Sequence, residues 1–427
     1  MIAEFTVENF RSFKEKNTFS LISTKDKELS DLNTFETKKN LRFLRTAVIY
    51  GANASGKSNF FKALVFFLNF SVFSGPRKQV EDPIETEPFA LSIQTKTAPS
   101  KFEIIFIINE NGDEIRYRYG LIVNNKQVLS EYLYAIKNVR EVMLFLRNSQ
   151  KIEYTSYFKE GGRAKAAVRN NCSFLSVCAQ NNGEISAQVV KYFRSMGVLY
   201  GVYDTTFRLD KNINNPEQKK KIIDFLRFAD IQITGYRTEK VPAFKDMPDP
   251  ELAAILNKNF PNVNEERILF GHAIFDEDKP IGEIYLDASD ESSGTNKLFS
   301  YSSYILSVLD KGSTLFIDEF DTMLHPLIIE NIIKLFNSPI TNPKNSQLII
   351  SCHAINIMTN KLLHRDQIWF CEKDKYGATD LYSLVEYKDE EKRAVRKDSS
   401  YNKNYLQGKY GAIPYIDNIL SQSGFEK

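Results

Sequence analysis

The sequence predicts an α/β fold built around a mixed β-sheet, and three observations carry that expectation. An apolar stretch, residues 47–50, runs into Gly51-Ala52-Asn53-Ala54-Ser55-Gly56-Lys57-Ser58 and then into a helical segment, residues 59–73. A second apolar run, Thr314-Leu315-Phe316-Ile317, ends in two carboxylates, Asp318 and Glu319. A third, residues 345–350, ends in Ser351-Cys352-His353. Each run has the pattern of a buried strand whose C-terminal end delivers polar side chains to one edge of a sheet.

Taken along the chain, residues 2–10 alternate as a strand and residues 41–50 lead into the glycine-rich loop. Strand, loop and helix in that order form a phosphate-binding loop. Its glycines turn backbone N–H groups inward, Lys57 adds a mobile point charge, and the Ser58 hydroxyl can ligate Mg²⁺. Asn53, Ala54, Ser55, Gly56, Lys57, Ser58 and Asn59 are therefore the candidate contacts to a nucleoside triphosphate. Residues 75–88, rich in proline and charge, read as a loop, and strand-like runs follow at 102–108, 115–123, 129–136 and 142–147. Helical spacing then takes over at 172–180, 184–195 and 216–228 before strands return at 267–275 and 282–286. The expected organisation is thus an N-terminal part, residues 1–135, an inserted and mainly helical subdomain, 136–265, and a C-terminal part, 266–427, that completes the first.

The two carboxylates after the second strand invite different tasks. Asp318 is placed to hold Mg²⁺ opposite Ser58, and Glu319 to polarise an attacking water as general base. Upstream, Ser292-Ser293-Gly294-Thr295 opens the helical run 298–309, where a hydroxyl, free N–H groups and the helix dipole make an anion site. The same residues are also ordinary helix capping, and their position ahead of the acidic strand favours the anion site. His353, at a strand end, can donate a hydrogen bond to a γ-phosphate or to the attacking water.

Composition sets limits. With 56 Lys plus Arg against 54 Asp plus Glu, the net charge of +2 creates no global field for nucleic acid or membrane, so the clusters at 38–39, 219–221 and 393–397 read as solvated faces. Cys172, Cys178, Cys352 and Cys371 lack metal-like spacing and fit reduced packing residues in a cytoplasm. The opening residues form a strand pattern rather than a leader, and apolar runs fall short of the roughly 20 residues that span a bilayer. A soluble, cytoplasmic chain is expected. No second catalytic constellation is visible.

Together, residues 51–58, Ser292 to Thr295, Asp318-Glu319 and His353 resemble the ABC-type ATPase heads of the SMC/RecF/RecN group. Glu8-Asn9-Phe10-Arg11-Ser12-Phe13 is similar to the N-terminal signature of that group, which implies that Arg11 contacts a nucleotide phosphate. A narrower resemblance, to the ATP/GTP phosphatase family with the AbiL- and RloA-type abortive-infection ATPases, rests on Phe316-Ile317-Asp318-Glu319-Phe320 with Leu324-His325-Pro326, on Arg365-Asp366-Gln367-Ile368-Trp369-Phe370, and on Tyr405-Leu406-Gln407-Gly408-Lys409-Tyr410. The resemblance implies ATP and Mg²⁺ as cofactors and a homo-oligomer, an ATP-sandwich dimer in which Ser293 acts on the partner's nucleotide. It also implies a role as sensor or regulatory subunit of an anti-phage or toxin–antitoxin pair, with a separate effector protein. A RecF-like maintenance ATPase binding nucleic acid, and an ATP-held scaffold caging an effector, are the alternatives. The match covers residues 1–135 and 265–427; Gln79 and Gln94 are the candidates for a Gln-loop, and no heptad arm is present.

Overall fold

The computed structural model describes residues 1–24, 29–110, 112–136, 140–200, 214–243, 249–260, 264–389 and 391–414. It divides into two compact units, residues 1–201 with 308–427, and residues 202–307.

Two sheets and one long helix make the first unit. A seven-stranded antiparallel sheet runs in the order Lys151–Tyr154, Glu141–Asn148, Val128–Ile136, Asp113–Val123, Ser100–Glu110, Ile2–Glu8, Asn17–Ser20. A six-stranded sheet runs Gly197–Leu199, Thr314–Ile317, Gln347–Ser351, Thr46–Tyr50, Ile368–Lys373, Thr379–Ser383, parallel throughout except for its last pair. The fold is therefore α/β with parallel and antiparallel sheets, as the strand patterns predict. Thr46–Tyr50, Thr314–Ile317 and Gln347–Ser351 are buried at every residue, which explains why they read as continuous apolar runs rather than alternating ones.

The helix Lys57–Arg77 lies between the sheets. Phe60 and Phe67 pack on Phe5 of the antiparallel sheet at ring distances of 5.8 and 5.7 Å, while Phe61 meets Phe316 of the parallel sheet at 6.5 Å. Apolar residues all round a helix mark one enclosed on more than one side. The helix continues past the expected boundary at residue 73, through Gly75 and Pro76 to Arg77. It is held there by tertiary contact: the Gly75 N–H donates to Ser176 Oγ at 2.9 Å, and a Cβ on Gly75 would stand 2.7 Å from that oxygen.

Residues 140–200 belong to the first unit rather than to an insert. Their strands extend the antiparallel sheet, and the helices Phe174–Gln180 and Glu184–Ser195 pack against it and the long helix, with Tyr192 stacked on Phe106 at 5.1 Å and Phe193 6.0 Å from Phe67. A buried ion pair pins this region. Glu131 and Arg147, both 0% exposed, face each other at 3.5 Å; Glu131 accepts the N–H groups of Phe174 and Leu175, and Arg147 donates to the carbonyls of Cys172 and Arg169.

The second unit overlaps the expected insert only over residues 202–265 and is as much sheet as helix. Gly235–Pro242, Asn264–Asp276 and Lys279–Asp287 form an antiparallel sheet, joined by the helices Pro216–Phe228 and Pro250–Asn259. Phe299, on the helix Ser293–Lys311, sits 4.9 Å from both Tyr236 and Phe270 and anchors that sheet.

Candidate nucleotide site

The glycine-rich loop follows the buried strand Thr46–Tyr50 and leaves it through Gly51 at φ 152°, where a Cβ would stand 2.4 Å from the Cys371 carbonyl oxygen. At Gly56, φ 117°, a Cβ would strike Thr379 Oγ1 at 2.2 Å. Both positions require glycine, for space and for backbone angle. Lys57 is buried and curls back over the loop, its ammonium donating to the carbonyls of Gly51 at 2.8 Å and Ala52 at 3.0 Å. Desolvation lowers its pKa, and the nearby Cys371, Asp318, Glu319 and Asp321 oppose that shift. Asn53 and Ala54 form an exposed rim, Ser58 and Asn59 are half-buried, and Ser55 Oγ is buried without a hydrogen-bond partner.

The loop is braced from both ends of the chain. Ser12 Oγ accepts from Asn59 Nδ2 at 2.8 Å and lies 2.8 Å from Thr379 Oγ1, which also reaches the Ser55 carbonyl at 2.7 Å. Arg11, at φ 50°, pairs with Glu87 and lines a cleft of about 650 Å³ that also includes Lys62, Phe66 and Phe73. Lys62 stands one helical turn beyond Ser58. No residue of the loop, 51–58, is among those lining the cleft.

Asp318 follows the strand Thr314–Ile317 and is 5% exposed; its Oδ1 accepts from Ser351 Oγ on the neighbouring strand. Glu319 takes a left-handed conformation, φ 51°, with its N–H donating to the same Ser351 Oγ at 2.7 Å. The Phe320 N–H donates to the Ser351 carbonyl at 3.0 Å, and the His353 N–H to Asp321 Oδ2 at 2.8 Å. His353 is exposed, yet desolvation and the Lys57 charge hold its pKa below the ordinary histidine value, against the pull of Asp321, Glu319 and Asp318. Lys57, Asp318, Glu319 and His353 are thus neighbours at the C-terminal ends of three adjacent parallel strands.

Ser292, Ser293, Gly294 and Thr295 lie in the second unit. The Ser292 hydroxyl accepts the Thr295 N–H at 3.0 Å and lies 2.9 Å from Thr295 Oγ1, which is capping geometry, while Ser292 and Ser293 stay exposed. Glu291, just before them, meets His272 Nε2 at 2.6 Å. Ser12, Thr379, Ser351 and Asp321 carry much of the site's geometry. Ser12 lies in the Glu8 to Phe13 stretch and Ser351 at the end of an apolar run, whereas Thr379 and Asp321 belong to no motif of the sequence.

A phosphate loop at the end of a central parallel strand, flanked by an acidic strand end and a histidine, defines a P-loop nucleotide-binding protein. The chain belongs to the ATPase family described as "AAA domain, putative AbiEii toxin, Type IV TA system", whose model matches residues 47–359, well over half its length. Curated proteins yield no match. Among solved structures it is similar to an Smc head bound to the C-winged helix domain of ScpA, at 14% identity over 90% of this chain and 97% of that one, TM-score 0.44. It is also similar to an Smc head with an extended coiled coil bound to the C-terminal domain of ScpA from Pyrococcus furiosus, at 14% identity, 90% and 96% coverage, and TM-score 0.35. An Smc head with coiled coil and joint from Pyrococcus yayanosii gives 12% identity, 90% and 97% coverage, and TM-score 0.39. These superpositions are loose. Among the described residues no helix is long and apolar enough to cross a membrane.

Proposed function

We propose that this chain binds ATP with Mg²⁺ and hydrolyses it, closing as an ABC-type dimer around the nucleotide. The convergence of Lys57, Asp318, Glu319 and His353 on one edge of the parallel sheet carries this reading. The loop's exposed rim and the unpartnered Ser55 hydroxyl suit phosphate oxygens. The oxygen donors Ser58 and Asp318 suit Mg²⁺, which takes one or two carboxylates and completes its shell with water and phosphate. When bound, that cation would neutralise charge developing on the transferred phosphoryl group.

Lys57, already aimed across the loop, balances negative charge at the same place. Glu319 takes a proton from the attacking water, and His353, kept neutral, donates a hydrogen bond to the γ-phosphate or to that water. Ser293, exposed at a helix start, is offered to the nucleotide of a second copy, which links ATP binding to dimerisation. A regulatory role in a toxin–antitoxin or anti-phage pair, in the cytoplasm and with a separate effector chain, completes this reading, and the family description, which names a toxin–antitoxin system, supports the association with such a pair.

The test is complex mass and phosphate release for wild type and Glu319→Gln, with and without ATP and Mg²⁺. Loss of the general base should slow release by about 10²- to 10⁴-fold and trap an ATP-dependent dimer. Normal release by Glu319→Gln, or a mass indifferent to ATP, would remove the base or the sandwich from the reading.

A further inference from the structure

Four hydrogen bonds tie the turn after the acidic strand to the end of the strand Gln347–Ser351. Three of them converge on Ser351 and fix Asp318, Glu319 and Phe320. The fourth, from the His353 N–H to Asp321 Oδ2 at 2.8 Å, reaches two residues further to the histidine itself. Asp321 is an expensive choice for that task. Its Oδ1 is buried without a hydrogen-bond partner, and so is the Tyr50 hydroxyl, whose ionisation Asp321 opposes. Burial and, next to it, the Asp321 charge push the neighbouring Cys352 thiol up. The charge-assisted hydrogen bond from the His353 N–H offsets part of the desolvation of Asp321, so the contact is held at a cost to stability.

We propose that Asp321 is a positioning residue for hydrolysis. It clamps the main chain at His353 to the turn that carries Glu319, so that imidazole and general base keep a fixed separation when the terminal phosphate arrives and leaves. The inference rests on the ATPase reading. In this role Asp321 acts through the main chain of His353.

The experiment uses the full chain with Asp321→Ala, Asp321→Asn, His353→Ala and the Asp321→Ala/His353→Ala double variant. Asp321→Ala should lower kcat by about 10- to 100-fold, the usual scale for residues that orient a site from behind. Its affinity for a fluorescent ATP analogue should stay within about twofold of wild type, since positioning lost in the reaction appears in kcat rather than in binding. Asp321→Asn keeps an acceptor oxygen and should recover most of the rate. In the double variant the loss should equal that of His353→Ala alone, because both substitutions break one unit. Multiplying losses would overturn the proposal.

Amide hydrogen exchange of a peptide spanning residues 352–354, read without nucleotide, gives the second arm. Asp321→Ala should accelerate exchange at His353 and Asp321→Asn should not; unchanged protection in Asp321→Ala overturns the clamp even if the wild type proves unable to hydrolyse ATP. A wild type without hydrolysis but with Asp321-dependent protection instead refutes the ATPase reading and, with it, the catalytic purpose of the clamp. Should Asp321→Ala fail to fold, Asp321→Asn decides: a kcat near wild type supports the clamp, and a loss as large as that of His353→Ala overturns it.

Discussion

Replacing Ser351 with alanine removes a single oxygen that serves both carboxylates of the acidic turn. That hydroxyl donates to Asp318 and accepts the Glu319 N–H at 2.7 Å. A hydrogen bond to a charged group contributes about 1.5–3 kcal/mol, and a buried N–H left without a partner costs about 1–3 kcal/mol. Glu319 is only half-buried, so water can repair part of the second loss. A total of about 2–4 kcal/mol in native stability is expected. Glu319 also sits in a left-handed conformation that costs about 1 kcal/mol and persists only while its surroundings hold it. Without Ser351 the turn can relax, and both carboxylates lose their aim. Hydrolysis should fall by about 10- to 100-fold, and the Mg²⁺ concentration for half-maximal rate should rise, because Asp318 is no longer oriented. Urea denaturation gives the first figure and a Mg²⁺ titration of phosphate release the second. A Ser351→Ala protein with unchanged midpoint and unchanged Mg²⁺ demand would refute the bridge as the organiser of this turn.

Further outcomes follow from the same structure. Glu131→Ala leaves Arg147 buried and uncompensated and should destabilise the chain by about 3–5 kcal/mol in chemical denaturation; a loss below about 1 kcal/mol would show that water enters and solvates the arginine. His353 has its pKa held below 6.5, so an unfolded chain takes up its proton first as pH falls, and the histidine penalises the native state only on the acid side of 6.5. Phosphate release should therefore stay level through neutral pH and decline below 6.5, and a limb at or above that value would contradict the assignment of a depressed imidazole. All four cysteines are buried, with burial pushing Cys371 up to about 12 and raising the others, so none should react with Ellman's reagent before unfolding.

The legible parts of this chain were those whose chemistry is local. Gly51 to Ser58 must be spelled in one stretch because consecutive backbone N–H groups do the binding, and the fully buried strands before Gly51, Asp318 and Ser351 announce themselves as apolar runs. Ser12 and Thr379 brace that loop through hydroxyl and backbone bonds although 367 residues separate them, and neither residue type has a periodicity to betray it. The boundary between units was obscured for a related reason. Helical spacing at 174–195 shows that a face is apolar but not which sheet covers it, and the partners Phe106 and Phe67 lie far upstream. Pro76 argues for an early helix end on local propensity, which the contact of Gly75 with Ser176 overrides. At Ser292 to Thr295 the capping geometry is what local propensity dictates, and an anion-binding role there concerns a second molecule that a single chain does not contain.

The helix that begins at Lys57 is 21 residues long, a rod of about 30 Å with its foot in the phosphate loop. Aromatic rings fill both flanks, and an interior packed to that density deforms little. A push of a few tenths of an ångström at Lys57 therefore has no soft material in which to dissipate. It arrives at the far end, where Gly75 leans on Ser176 and the Gly75 carbonyl takes a hydrogen bond from Arg169. The segment around residues 169–176 is thereby joined by close packing to the phosphate loop about 30 Å away.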